Sequence, residues 1–189
     1  ASQAIDIAFR TILSPGDEVI LPGPVYPGYE PLIRLAGGKA VHVDTRDTSF
    51  KLSPELISAS ISNKTKCIVL PYPSNPTGVS LMREELEQIA DLIKGKDIFI
   101  LADEIYSELT LDTNHTSIGS ILREQTITIN GLSKSHSMTG WRIGFLMAPR
   151  AIAKHMIKVH QYNVSCASSV SQMAALEAMK NGEHDPATM

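Results

Sequence analysis

Lys134 stands between Ser133 and Ser135, just beyond an apolar run. Most lysines are solvated surface charges, and that is its plain structural reading. The small neighbours also leave room for a bulky aromatic ring, and an amine so placed can form a Schiff base with a carbonyl. Asp103 closes the apolar run Ile98 to Ala102. A carboxylate there is costly unless it meets a charged partner, the bland alternative being a helix cap. Arg142 offers a planar fork suited to phosphate, with a rim salt bridge as its structural alternative. Ser2 and Gln3 begin a helical pattern, where free backbone N–H groups and the helix dipole attract anions.

The elements that must hold these residues can be read from periodicity. Short β-branched or apolar runs lie at Val19 to Leu21, Ala40 to Val43, Cys67 to Leu70, Ile98 to Ala102, Thr126 to Ile129 and Ile143 to Met147. Between them come helical patterns: Ile5, Ala8, Phe9 and Ile12; Leu86, Ile89, Ala90 and Ile93 behind Glu84 and Glu85; Ile152, Met156, Val159 and Asn163; and a stretch from about 168 to 180. Ser53-Pro54 reads as an N-cap followed by proline at the first helical position. Alternating strands and helices require crossover connections, hence a three-layer α/β/α sandwich around a mostly parallel, mixed sheet. In such sheets ligands gather at the carboxyl ends of the strands. Neither an internal repeat nor a low-complexity tract is present.

Three of those strand ends carry unusual polar sequence: PYPSNPTG at 71–78, DEIY at 103–106 and NGLSKSHSMTGWRIG at 130–144. In order and spacing they resemble the signature stretches of class I and II aminotransferases, the aspartate aminotransferase-like enzymes of pyridoxal 5′-phosphate (PLP) fold-type I. There a lysine follows a small residue and an arginine lies eight positions on, here Lys134 and Arg142 within GWRIG. The resemblance covers essentially the whole chain.

It implies roles residue by residue. Lys134 would carry PLP as the internal aldimine and, once released, move a proton between Cα and C4′. Asp103 would keep the pyridine nitrogen protonated; Tyr106 and Asn75 would donate to O3′, and Asn75 would also contact the substrate carboxylate. As plain chemistry Tyr106 is a half-buried core tyrosine and Asn75 part of a turn set by Pro73, Pro76 and Gly78. Arg142, Ser133, Ser2 and Gln3 fall where the family holds the phosphate. Tyr26 aligns with the aromatic that stacks on the ring; the register set by Ala36, Gly37 and Gly38 favours it over Tyr29. One departure is Gly131, where many relatives carry a phosphate-binding serine; Ser133 or Ser135 could compensate. His115, His136 and the other histidines lack ligand-like spacing and read as surface or supporting residues, with no metal expected.

Composition excludes several classes. Of 189 residues 43% are hydrophobic and 20% charged, the formal charge is −3, and basic residues form no stripe of the kind nucleic acid needs. No apolar run approaches a membrane span. Cys67 and Cys166, far apart, read as reduced thiols in a cytoplasmic protein. The expected organisation is one PLP-binding large domain over 1–189. Both ends read as cut points, with the resemblance adding a small domain, a substrate-binding arginine and a homodimer beyond them. The expected activity is transfer of an amino group between an amino acid and a 2-oxo acid, weak or absent in these residues alone. Rival readings are a PLP-dependent C–S lyase or cyclopropane-carboxylate synthase, the aminotransferase-like sensor half of a transcription regulator, and a structural domain without cofactor.

Overall fold

A computed structural model describes residues 1–110, 114–182 and 184–188. Its sheet contains β1 (Glu18–Gly23), β2 (Lys39–Asp44), β3 (Thr65–Leu70), β4 (Phe99–Asp103), β5 (Thr126–Asn130) and β6 (Phe145–Met147), in spatial order β2-β1-β3-β4-β5-β6. Pairing is parallel as far as β5, whereas β6 runs antiparallel to β5, with Asn130 opposite Phe145. The mostly parallel mixed sheet expected from the alternating pattern is thus present.

Side-chain alternation splits each central strand between two cores. Ile20, Ile68, Leu70, Ile100 and Ala102 face one core, which is closed by α3 (Pro54–Ser60) and α4 (Arg83–Ile93) through Ile57, Leu86, Ile89 and Ile93. Val19, Leu21, Cys67, Val69, Leu101, Ile127 and Ile129 face the other. That core is covered by α1 (Ser2–Ile12), α2 (Tyr29–Leu35) and α6 (Arg150–Val164), through Ile5, Phe9, Ile33 and Met156. Each fully buried leucine or isoleucine contributes about 1.5–3 kcal/mol, so truncating Ile100 or Leu101 to alanine would cost about 2–5 kcal/mol. A smaller cluster joins α5 (Leu132–Ser135) to α7 (Ser169–Asn181) through Leu132, Met138, Ile143 and Ala175. The short α8 (Asp185–Thr188) follows.

Local chemistry explains the element ends. The Ser53 hydroxyl accepts from the Leu56 N–H at 3.3 Å, with Pro54 in the first turn of α3. Glu85 closes the start of α4 by accepting from the Met82 N–H at 2.7 Å. Three features depart from the periodicity reading. α2 was not expected; its Pro31 is tolerated because the first helical turn has no internal partner for its N–H groups. Lys134 lies on the single turn α5, too short to show a period. Ile143 and Gly144 precede β6 rather than belonging to it, because Arg142 adopts a left-handed φ of 54° and turns Ile143 into the small cluster.

Among the described residues no helix is long and apolar enough to cross a membrane, and no His, Cys, Asp or Glu group is arranged to hold a metal ion.

Candidate active site

A cavity of about 180 Å³ opens at the carboxyl end of the sheet. Eight of the nine residues singled out by sequence line it: Ser2, Tyr26, Asn75, Asp103, Tyr106, Ser133, Lys134 and Arg142. They arrive from the start of α1, the β1–α2 connection, the β3–α4 loop, the end of β4 and the β5–β6 connection. Gln3 is the exception: helix geometry turns it into a neighbouring cavity of about 490 Å³, which shares Ser2, Ser133 and Arg142 with the first.

Asp103 is the last residue of β4 and only 6% exposed. Its Oδ2 accepts a 2.6 Å hydrogen bond from the Tyr29 hydroxyl, and the Ile105 N–H approaches Oδ1 at 3.3 Å. Burial pushes the Asp103 carboxyl above the usual carboxylate range despite these donors, and burial with the adjoining carboxylate pushes the Tyr29 phenol well above its ordinary value. Among the described residues no lysine, arginine or histidine side chain forms an ion pair with Asp103.

Tyr29 was weighed in the sequence only as a competitor of Tyr26, and its link to Asp103 was missed. The two rings meet edge to face at 5.6 Å between centroids. Tyr26 is 38% exposed and stays available to the cavity, while Tyr29, at 2%, lines it too and supports the carboxylate through its hydroxyl. Tyr26 lies in the loop before α2 and Tyr29 opens the helix, so no periodicity in the sequence separates their roles.

Lys134 projects its Nζ 5.8 Å from the Tyr106 ring centroid, and among the described residues it has no ion-pair partner. The connection that carries it is braced from inside: the Thr139 hydroxyl donates to the Ser133 carbonyl at 2.8 Å, and Arg142 Nη1 donates to the Thr139 carbonyl at 2.8 Å. Thr139 thereby sets the arginine relative to the lysine, a role not foreseen. Asn130 joins this connection to the 3-10 turn Ser107–Leu109 that follows β4, its Oδ1 accepting from the Gly131 N–H at 2.7 Å and its Nδ2 donating to Ser107 Oγ at 3.1 Å.

Gly131 has a steric reason. A Cβ there would lie 3.1 Å from Gly144 Cα and 3.2 Å from the Ile143 carbonyl, so serine would fit only if this backbone moved. Ser133 reaches the cavity, but Ser135 does not: it is 2% exposed and its hydroxyl pairs with His136 Nδ1 at 2.8 Å. His136 Nε2 lies 3.1 Å from the Gly182 carbonyl, so the ring ties α5 to the end of α7.

A free amine, a buried carboxylate short of positive charge and a guanidinium therefore surround one space. The family profile described as aminotransferase class I and II matches residues 1–187. The chain belongs to the class I and II aminotransferase family. It is 69% identical over 189 residues to a protein of Bacillus subtilis named probable N-acetyl-LL-diaminopimelate aminotransferase, covering 100% of this chain and 48% of that protein. An aspartate aminotransferase of the same organism is 43% identical over 98% of the chain and 48% of its own length. Among solved structures, a double mutant of Thermus thermophilus aspartate aminotransferase superposes with a TM-score of 0.94 at 38% identity, over 98% of this chain and 49% of that one. An aromatic aminotransferase from Pyrococcus horikoshii does so with 0.92 at 37%, over 99% and 51%. The chain spans about half the length of the curated relatives it matches.

Proposed function

We propose that residues 1–189 form the PLP-binding large domain of an aminotransferase that moves an amino group between an amino acid and a 2-oxo acid. The observation that carries this reading is the meeting of Lys134 and the buried Asp103, which no side-chain cation pairs among the described residues, in one cavity with Arg142. The residues fit PLP: a buried carboxylate raised by desolvation calls for a cationic ring nitrogen, and a guanidinium beside serine hydroxyls suits a phosphate.

When bound, PLP supplies an aldehyde for a lysine amine and a protonated pyridine that draws electrons from the substrate Cα. Lys134 would hold the aldehyde carbon and, freed by the incoming amine, take the proton from Cα and return it at C4′. Asp103, oriented by Tyr29, would keep the pyridine nitrogen protonated. Tyr106 and Asn75 would donate to O3′, Asn75 also reaching the substrate carboxylate, and Tyr26 would cover the ring face. Arg142, Ser133 and Ser2 would hold the phosphate, with Gln3 outside the shell unless α1 turns. The 69% relative supports N-acetyl-LL-diaminopimelate as the amino-acid partner. A homodimer and a cytoplasmic setting follow the same family reading.

Absorbance titration of the chain with PLP tests this. We expect a visible band from lysine-bound cofactor that Lys134→Ala removes; a band that survives the substitution refutes the assignment. In a protein of the relatives' length, amino-group exchange between an amino acid and a 2-oxo acid separates transamination from a C–S lyase, which would release thiol and ammonia instead.

A further inference from the structure

Strand alternation sends Asp103 and Glu104 to opposite faces at the end of β4. Asp103 points toward Tyr29, while Glu104, 6% exposed, enters the other core beside Leu70, Tyr72, Leu81, Leu86 and Ile118. There its Oε2 lies 3.2 Å from His115 Nε2, with side-chain exposures of 8% and 18%. The ring nitrogen makes no aligned hydrogen bond in the structure, although it lies within ion-pair distance of the carboxylate. Within the cavity reading proposed above, this pair has no assigned part.

We propose that Glu104 and His115 form a buried ion pair that positions Asp103 and Tyr106: His115 neutralises the carboxylate backing onto Asp103 and fixes the chain that leads to Tyr106. An ionised glutamate in apolar surroundings needs a partner, and His115 is the cation that meets it. The other ionisable groups around the pair are accounted for. The Tyr72 hydroxyl accepts from the Leu52 N–H at 2.8 Å and donates to the Phe50 carbonyl at 3.2 Å; Glu85 of α4 is held by Lys51 at 2.9 Å. The 3-10 turn Ile118–Ser120 and β5 carry no charged side chain. Across the strand, the Glu104 charge adds to burial in raising the proton affinity of Asp103. His115 offsets that contribution. Two residues after Glu104, Tyr106 lines the cavity, and between them the Glu104 N–H is anchored to the Ile129 carbonyl at 2.8 Å and the Ser107 N–H to the Glu104 carbonyl at 2.9 Å.

The experiment is a carbon-13 NMR titration of the Asp103 carboxyl in the ligand-free chain, for the parent, Glu104→Gln and His115→Gln. His115→Gln leaves Glu104 unpaired and should raise the Asp103 midpoint by roughly half a unit. Glu104→Gln removes the neighbouring charge and should lower it. Loosening of the fold alone would move both variants the same way, and that result, or no movement in either, overturns the proposal. If His115→Gln does not fold, the Glu104→Gln/His115→Gln double variant decides: a midpoint at or below the parent's supports the ion pair, and one above it refutes it. A PLP titration adds a second readout, with Kd expected to rise about fivefold in His115→Gln and less in Glu104→Gln. Failure of the parent to bind PLP would overturn the cofactor reading while leaving the NMR result to judge this one.

Discussion

The two ends of the sheet treat polar side chains in opposite ways. At the amino end they satisfy one another. Gln125 donates its amide to the carbonyls of Lys96 at 2.8 Å and Ile98 at 2.9 Å and accepts from the Gly95 N–H at 2.8 Å. Ser62 donates to Glu18 at 2.6 Å, and Lys66 pairs with Asp97 at 2.6 Å. At the carboxyl end Lys134 lacks an ion-pair partner among the described residues, and Asp103 is buried with donors too few to restore its usual acidity. One end is finished by the chain itself; the other leaves an amine and a carboxylate without side-chain ion-pair partners among the described residues. Stability is thus concentrated at one end and withheld at the other, as expected where a site is preorganised for a ligand.

That contrast can be broken from either side. The largest effect should come from Asp103→Asn. In a protein of the relatives' length, transamination should fall on the order of 10²–10⁴-fold, measured by amino-group exchange. The ligand-free chain should meanwhile become more stable by about 1 kcal/mol, read by urea unfolding. The sign follows from linkage: the folded-state pKa of Asp103 lies above its unfolded value, so its penalty is fully present above the folded pKa and disappears as pH falls through the unfolded one. Ligand-free stability should therefore gain from this group on mild acidification in the parent and not in Asp103→Asn.

Next in size, Gln125→Ala at the amino end should cost about 2 kcal/mol of stability by stranding carbonyls while leaving the Kd for PLP unchanged; a weakened Kd would show that the two ends are coupled. Tyr29→Phe should raise that Kd about fivefold and move the acidic limb of binding to higher pH, since it removes a donor that lowers the Asp103 pKa. The smallest change belongs to Lys66→Met. Asp97 is 86% exposed, so loss of this pair should alter stability by no more than about 0.5 kcal/mol in a thermal melt.

Much of this contrast was legible from residues. Asp103 announces itself because a carboxylate at the end of an apolar strand demands a reason, and Lys134 and Arg142 because the spacing between them is local. Tyr29 did not, since its value depends on Asp103 lying within hydrogen-bond reach across 74 positions. Gln3 lines the adjoining cavity rather than the first, because a helix start offers anion-seeking N–H groups all round and only packing of α1 decides which side chains face which cavity. His115 was read only as a surface or supporting residue for the same reason: its neighbour Glu104 is set by strand alternation, which tells which face a residue takes but not what waits there.

β6 is the one antiparallel strand among those described. Because it turns straight back along β5, Lys134 and Arg142 sit on a single hairpin excursion whose two ends are locked in register by Asn130 and Phe145. These two residues can become neighbours through short-range chain closure, before any crossover is complete. Asp103 and Asn75 reach them only after parallel pairings of long sequence separation have formed, which are the slow steps of folding. Cofactor capture during refolding should therefore lag behind the hairpin and report the moment at which the parallel sheet closes.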